Sequence, residues 1–285
     1  MKPNRIVSFT YVLAALLTLA SSTVFSADIK SIPPYEPKWA QPGKDVIWIP
    51  TQDALVEKML EMAKVATNDY VVDLGSGDGR IVIAAAKRGA QALGIEYNPD
   101  MVELSKYNAE KAGVMAKAKF EKADIFQTDF SRATVITMYL LPELNLKLRP
   151  TILKMKPGTR VVSHDFDMKE WDADETATVE GSGTAYFWLV PANVEGTWTF
   201  QVQGDAAELV LKQQFQRIEP ALKIGGKDTP VSNARLQGDK ISFTVTGSSG
   251  APREYSGVVN GNAIAGTSKA GTGAASAWTA QRKAQ

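Results

Sequence analysis

The run Tyr70-Val71-Val72-Asp73, followed by Leu74-Gly75-Ser76-Gly77-Asp78-Gly79 and a helix-forming stretch from Ile81 to Lys87, leaves few folds open. A short apolar strand that turns through three glycines into a close-packed helix is the crossover of nucleotide-type α/β sheets, where missing side chains let a ligand approach the backbone. The alternation continues downstream. Ala92–Glu96, Lys119–Asp124, Thr134–Met138 and Arg160–Ser163 read as strands, and Pro99–Lys111 and Leu144–Met155 read as helices. Upstream, Leu55, Val56, Met59, Leu60, Met62 and Ala63 recur at the spacing of an amphipathic helix. Strands alternating with helices imply βαβ units and a mostly parallel sheet covered on both faces. Thr176–Val179 and Ala185–Val190, separated by Gly181-Ser182-Gly183, add an antiparallel hairpin at the edge.

The pattern changes on both sides of this block. Met1-Lys2-Pro3-Asn4-Arg5, the apolar run Ile6–Ala20 and the small residues up to Ala27 have the plan of a secretory signal, with Val24 and Ser26 suiting the cleavage positions. The apolar run is shorter than the roughly 20 residues of a spanning helix. We therefore read 1–26 as a signal peptide, 27–48 as a Pro-rich linker, 49–192 as the α/β domain and 193–285 as a small all-β module. In that last part, Trp198–Val202, Glu208–Leu211, Ile241–Val245, Tyr255–Val259 and a strand around Trp278 alternate in polarity between glycine-rich turns. The expected destination is outside the cytoplasm, periplasmic or membrane-associated.

The ligand follows from charge. A phosphate favours a helix N-terminus free of acids, but Asp73 and Asp78 flank this loop, and the Lys-Ser/Thr ending of a P-loop is missing. Such acids suit S-adenosyl-L-methionine, which has no phosphate and carries an ammonium and a sulfonium. Gly75, Gly77 and Gly79 give backbone access, Glu96 at the next strand end suits the ribose hydroxyls, and Asp124 at the third suits the adenine amino group, with Ile125 or Phe126 against the ring. The sequence holds no cysteine and one histidine, so thiolate and multi-histidine metal sites are excluded. A formal net charge of +1 argues against a nucleic-acid partner.

The stretches Val72–Ala86 and Gly94-Ile95-Glu96-Tyr97-Asn98-Pro99 resemble the motifs of class I methyltransferases. More narrowly, they resemble the small protein-lysine methyltransferases whose eukaryotic members act on the c subunit of ATP synthase and on adenine nucleotide translocase. The resemblance spans about Pro50 to Trp171 and leaves out the C-terminal module. It implies a seven-stranded Rossmann-like methyltransferase sheet, cofactor contacts from Asp73, Gly75, Gly77, Glu96 and Asp124, a loop shaped by Asn98, and a lysine side chain of a protein, including a membrane protein, as acceptor.

Methyl transfer needs alignment more than acid catalysis. Met138-Tyr139-Leu140-Leu141-Pro142-Glu143 follows the fourth strand and is apolar and aromatic; Tyr139 is the candidate lining residue and Glu143 the candidate for steering a cation. The Asn/Asp-Pro-Pro-Tyr/Phe string of enzymes that methylate base or glutamine amides is missing there. His164, beside Asp165, is a candidate base, and Trp171 a candidate for closing the lip. A small-molecule O- or N-methyltransferase and an exported, non-catalytic binding protein are the alternative readings, the second because the methyl donor is made in the cytosol. The mass of the protein recovered from the exported fraction should correspond to a chain starting at Ala27; retention of Met1 there would contradict a cleaved signal.

Overall fold

The computed structural model describes residues 33–247 and 250–284, so the export signal expected at 1–26 lies outside the described residues. The chain divides into the units Met1–Ile32 and Pro33–Gln285, and every element named below belongs to the second. The alternating block folds as α1 (Asp53–Met62), β1 (Tyr70–Leu74), α2 (Arg80–Lys87), β2 (Gln91–Glu96), α3 (Pro99–Lys111), β3 (Ala118–Lys122), β4 (Val135–Met138), α4 (Pro142–Ile152), β5 (Arg160–His164), β6 (Glu175–Val179) and β7 (Gly183–Leu189).

These strands form one sheet in the order β3-β2-β1-β4-β5-β7-β6. β1 to β5 run parallel, and β7 runs antiparallel to β5 and β6. Alternation along each strand divides the core. Val71, Val135 and Val162 pack with α1 and α2, whereas Val72, Ile136 and Val161 pack on the other face with Leu148 and Ile152 of α4. Strand order reverses between β1 and β4, which opens a crevice at their C-terminal ends.

Two expected boundaries move. The third strand stops at Lys122, leaving Asp124 in the following turn, where its Oδ1 accepts from the Phe126 amide at 2.9 Å. Helix α4 begins at Pro142 rather than Leu144, because proline at the first helical position gives up no needed donor.

The C-terminal part is larger than the five stretches read from sequence. It comprises β8 (Gly196–Val202), β9 (Asp205–Gln214), β10 (Arg217–Ile224), β11 (Lys227–Thr229), β12 (Val231–Gln237), β13 (Lys240–Thr246), β14 (Pro252–Asn260), β15 (Ala263–Ala270) and β16 (Ser276–Arg282). They form one sheet, ordered β11-β10-β9-β8-β16-β15-β14-β13-β12, whose neighbours are antiparallel and which curls until β10 meets β12. The result is a near-barrel around Trp198, Phe200, Phe243, Tyr255 and Trp278. β15 escapes hydrophobic patterning because its residues are mostly small. The reason is spatial: a side chain at Gly266 would collide with the backbone of Ser256 and Gly257.

The two sheets share a bonded seam. Phe215, between β9 and β10, stacks on Trp171 at 6.0 Å with the Arg149 guanidinium 5.4 Å from its ring centre. Gln216 Nε2 donates to Asp172 O at 2.7 Å, Arg217 pairs with Asp172, and Ala192 N donates to Gly238 O at 2.8 Å. Trp171 therefore does not close a lip: it is fully buried, and its carbonyl accepts from Trp188 Nε1 at 2.9 Å. Truncating so large a core ring leaves a cavity, so Trp171→Ala should lower unfolding free energy by about 3–5 kcal/mol. Urea titration checks this, and a loss under about 1 kcal/mol would show that the seam collapses around the gap.

Candidate active site

Parallel pairing of β1 with β4 sets Asp73 opposite Thr137, whose hydroxyl donates to Asp73 Oδ1 at 2.7 Å. Asp73 is 3% exposed. Burial, offset by the Thr137 bond and reinforced by the charges of Glu96 and Asp78, pushes its carboxyl up to about 7. A buried acid in this condition gains most from a cation.

Beyond it the glycine loop turns back on β2. Gly77 has a φ of +55°, and its amide donates to Glu96 Oε2 at 3.0 Å, while Asn98 N donates to Glu96 Oε1 at 2.8 Å. Each oxygen of Glu96 thus takes one backbone donor and keeps lone pairs toward the cleft, which Glu96 lines. Asn98 caps α3, its side chain accepting from Asp100 N at 2.9 Å, and so fixes the course of the loop. Gly75 donates to Ile95 O at 2.9 Å, and Gly79, with a φ of +82°, caps α2. Asp78 contributes less free charge than its position suggests: it pairs with Arg80 at 2.6 Å, and Arg80 also donates to Thr51 O at 2.7 Å.

The segment before α1, expected as linker, is a wall of this cleft. It folds back through a Pro42-Gly43-Lys44-Asp45 turn, with Trp48 N donating to Gln41 O at 2.9 Å and Ala40 N to Trp48 O at 3.0 Å. Trp48 Nε1 lies 2.8 Å from the point where a Gly77 side chain would begin, so only glycine lets the indole cover the loop. Lys44 Nζ reaches Asp124 Oδ2 at 2.9 Å and sits 5.0 Å from the Tyr97 ring centre. The Phe126 amide first, and Lys44 next, hold the Asp124 carboxyl below the usual range. The Pro-Gly turn and the Trp48-Ile49-Pro50 string were the sequence signals for this wall.

At the other end, Tyr139, Leu140, Leu141, Leu144 and Phe166 line the cleft. The Tyr139 ring stacks on His164 at 3.7 Å and on Phe166 at 6.2 Å. The base expected at His164 is not on this wall. His164 is 4% exposed, its Nδ1 is 3.0 Å from Thr51 Oγ1 and its Nε2 is 3.3 Å from Asp165 Oδ2. Burial holds its pKa down, with Asp165 opposing. It supports Tyr139 from behind. Glu143 is exposed in the first turn of α4, outside the cavity lining.

The residues present fit S-adenosylmethionine. Asp73 offers a buried anion for its ammonium, Glu96 offers open lone pairs for a ribose diol, and Asp124 offers a carboxylate at the adenine end.

Comparison with known proteins agrees. Residues 73–175 match the family described as the ANTKMT methyltransferase domain. The chain is 43% identical over 151 residues to a protein-lysine N-methyltransferase of Saccharolobus islandicus, covering 51% of this chain and 94% of that protein. It is 36% identical over 146 residues to the Mus musculus lysine N-methyltransferase named for the c subunit of ATP synthase, covering 51% of this chain and 58% of the mouse protein. A crystal structure described as an RNA methyltransferase from Salinibacter ruber, in complex with S-adenosyl-L-homocysteine, superposes with a TM-score of 0.50 at 49% identity, over 51% of this chain and 96% of that one.

The raised Asp73 carboxyl gives two pH effects with fixed signs. Its unfolded value is 3.8 and its folded value about 7, so the folded state binds the extra proton and this group's contribution to stability falls as pH rises from about 4 to about 7. A bound ammonium needs the carboxylate, so S-adenosylhomocysteine affinity should fall by up to about tenfold for each pH unit below about 7. Asp73→Asn should bind weakly at every pH. Calorimetry from pH 5 to 8 reads both, and a wild-type affinity that does not change with pH would contradict the assignment.

Proposed function

We propose, from the premise that this chain belongs to the protein-lysine N-methyltransferase family, that it methylates the Nζ of a lysine in a protein substrate. The observation that carries this reading is the junction, at the ends of β1 and β4, of a buried acid with an apolar, aromatic mouth. S-adenosylmethionine, when bound, supplies the transferable methyl on its sulfonium.

The chain's own residues do the rest. Asp73 and Glu96 fix the donor, with Asp124 at its far end. Tyr139, Leu140, Leu141 and Phe166 exclude water from the acceptor side. That exclusion matters because only about one lysine in 2,500 is neutral at pH 7 in water, and a desolvated channel raises the fraction. The proton leaves to solvent as the side chain enters, so no base on the wall is required. His164 and Thr51 hold the Tyr139 ring, and orientation of this kind contributes directly to rate.

The relative described as an RNA methyltransferase raises nucleic acid as an acceptor. The near balance of 32 basic and 31 acidic residues, and Tyr139-Leu140-Leu141-Pro142 where base-directed enzymes carry a polar Pro-Pro string, favour lysine. The exposed apolar residues Ile47 and Leu141 at the cleft support a membrane protein as substrate. The signal-like sequence pattern at 1–26 supports an exported address.

Labelled S-adenosylmethionine incubated with this protein and a membrane-protein fraction should yield methyl-lysine by mass spectrometry. Label confined to small molecules would favour a small-molecule acceptor. Tyr139→Ala should lower kcat by about 10²-fold while leaving donor affinity within about twofold. Equal loss of donor affinity would move Tyr139 out of the acceptor channel.

A further inference from the structure

The near-barrel has an opening that methyl transfer does not use. β8 pairs with β9 along its whole length, from Gly196↔Leu211 to Val202↔Asp205, and β16 pairs with β15 from Ala263↔Gln281 to Ser268↔Ser276. Between β8 and β16, however, only Gln281↔Thr199 and Arg282↔Trp198 are paired. Beyond Thr199 these two strands part. A cavity of about 840 Å³ opens there, walled by Phe200 and Trp278 and reaching Arg253, Tyr255 and Ser268.

The register brings those last three together. Tyr255 pairs with Ser268 across β14 and β15, and Arg253 stands two residues from Tyr255, on the same inner face. Arg253 Nη1 donates to Ser268 Oγ at 3.3 Å, and among the described residues no carboxylate pairs with this arginine. Tyr255 is 3% exposed, yet its hydroxyl has no hydrogen-bond partner among the described residues. Burial raises its pKa and the Arg253 charge lowers it, so the phenol stays protonated and able to donate. The Ser268 hydroxyl proton is likewise uncommitted. Glu208, the acid in the cavity lining, is already near Lys283 at 3.8 Å.

Three donors line one face of a cavity that also has aromatic walls, and among the described residues no carboxylate pairs with them. We propose that this opening binds a small organic oxyanion, its acid group on Arg253, Tyr255 and Ser268 and its apolar body against the wall made by Phe200 and Trp278, whose rings meet edge to face at 5.4 Å. Charge-assisted bonds of this kind favour the ionised ligand over a neutral one of the same shape. The site lies outside residues 73–175, which the family model matches, and it does not depend on the methyl-transfer reading.

Benzoate, phenyl phosphate and benzyl alcohol titrated into the full chain provide the test. At least one of the two anions should saturate, with benzyl alcohol about tenfold weaker or more. A preference between the anions tells carboxylate from phosphate. Arg253→Gln should lose about tenfold in affinity and Arg253→Lys should recover part of it, both with unchanged S-adenosylhomocysteine binding, which also reports that the variants fold. Equal binding of the alcohol, no effect of Arg253→Gln, competition by S-adenosylhomocysteine, or failure of both anions to saturate would overturn the proposal.

Discussion

The bond from Thr137 to the buried carboxylate of Asp73 ties the center of the sheet to the chemistry. It exists because β1 and β4 are adjacent and parallel, although 64 positions separate the two residues along the chain. Adjacency of these strands is also what opens the crevice at their ends. An acid held there by one hydroxyl, beside Glu96, is costly to keep charged alone. A ligand that brings a positive charge and no phosphate relieves that cost, and the glycine loop supplies access to it. The fold therefore selects the ligand class before any acceptor is considered.

Much of this was legible in the sequence. The three glycines and Asp73 marked the loop, Asn98-Pro99 marked the start of α3 because one residue caps and the next fits the first turn, and Glu96 stood at its strand end. Long-range contacts were not legible. Lys44 reaches Asp124 across 80 positions, and a Pro-rich lead-in reads as a linker until that contact is seen. His164 looked like a base because Asp165 follows it, but burial behind Tyr139 is a property of packing. Likewise Trp171 reads as a lip only until Phe215 from a distant hairpin is found stacked on it.

The C-terminal sheet follows a different logic. Its strands are held by register, and its small residues mark where neighbors approach closely, so hydrophobic alternation revealed only the strands rich in large side chains. It meets the first sheet through Trp171, Phe215 and Asp172, next to the segment that leads from Phe166 toward β6. Phe166 on the cleft wall and the seam between the sheets thus lie on one stretch of chain.

Calorimetric titration of the full chain with S-adenosylmethionine, and separately with a nicotinamide dinucleotide, tests the central claim most directly. The account predicts micromolar binding of the first and no heat from the second, because the loop presents acids where a pyrophosphate would need to sit. Tight binding of the dinucleotide with no response to S-adenosylmethionine would contradict it.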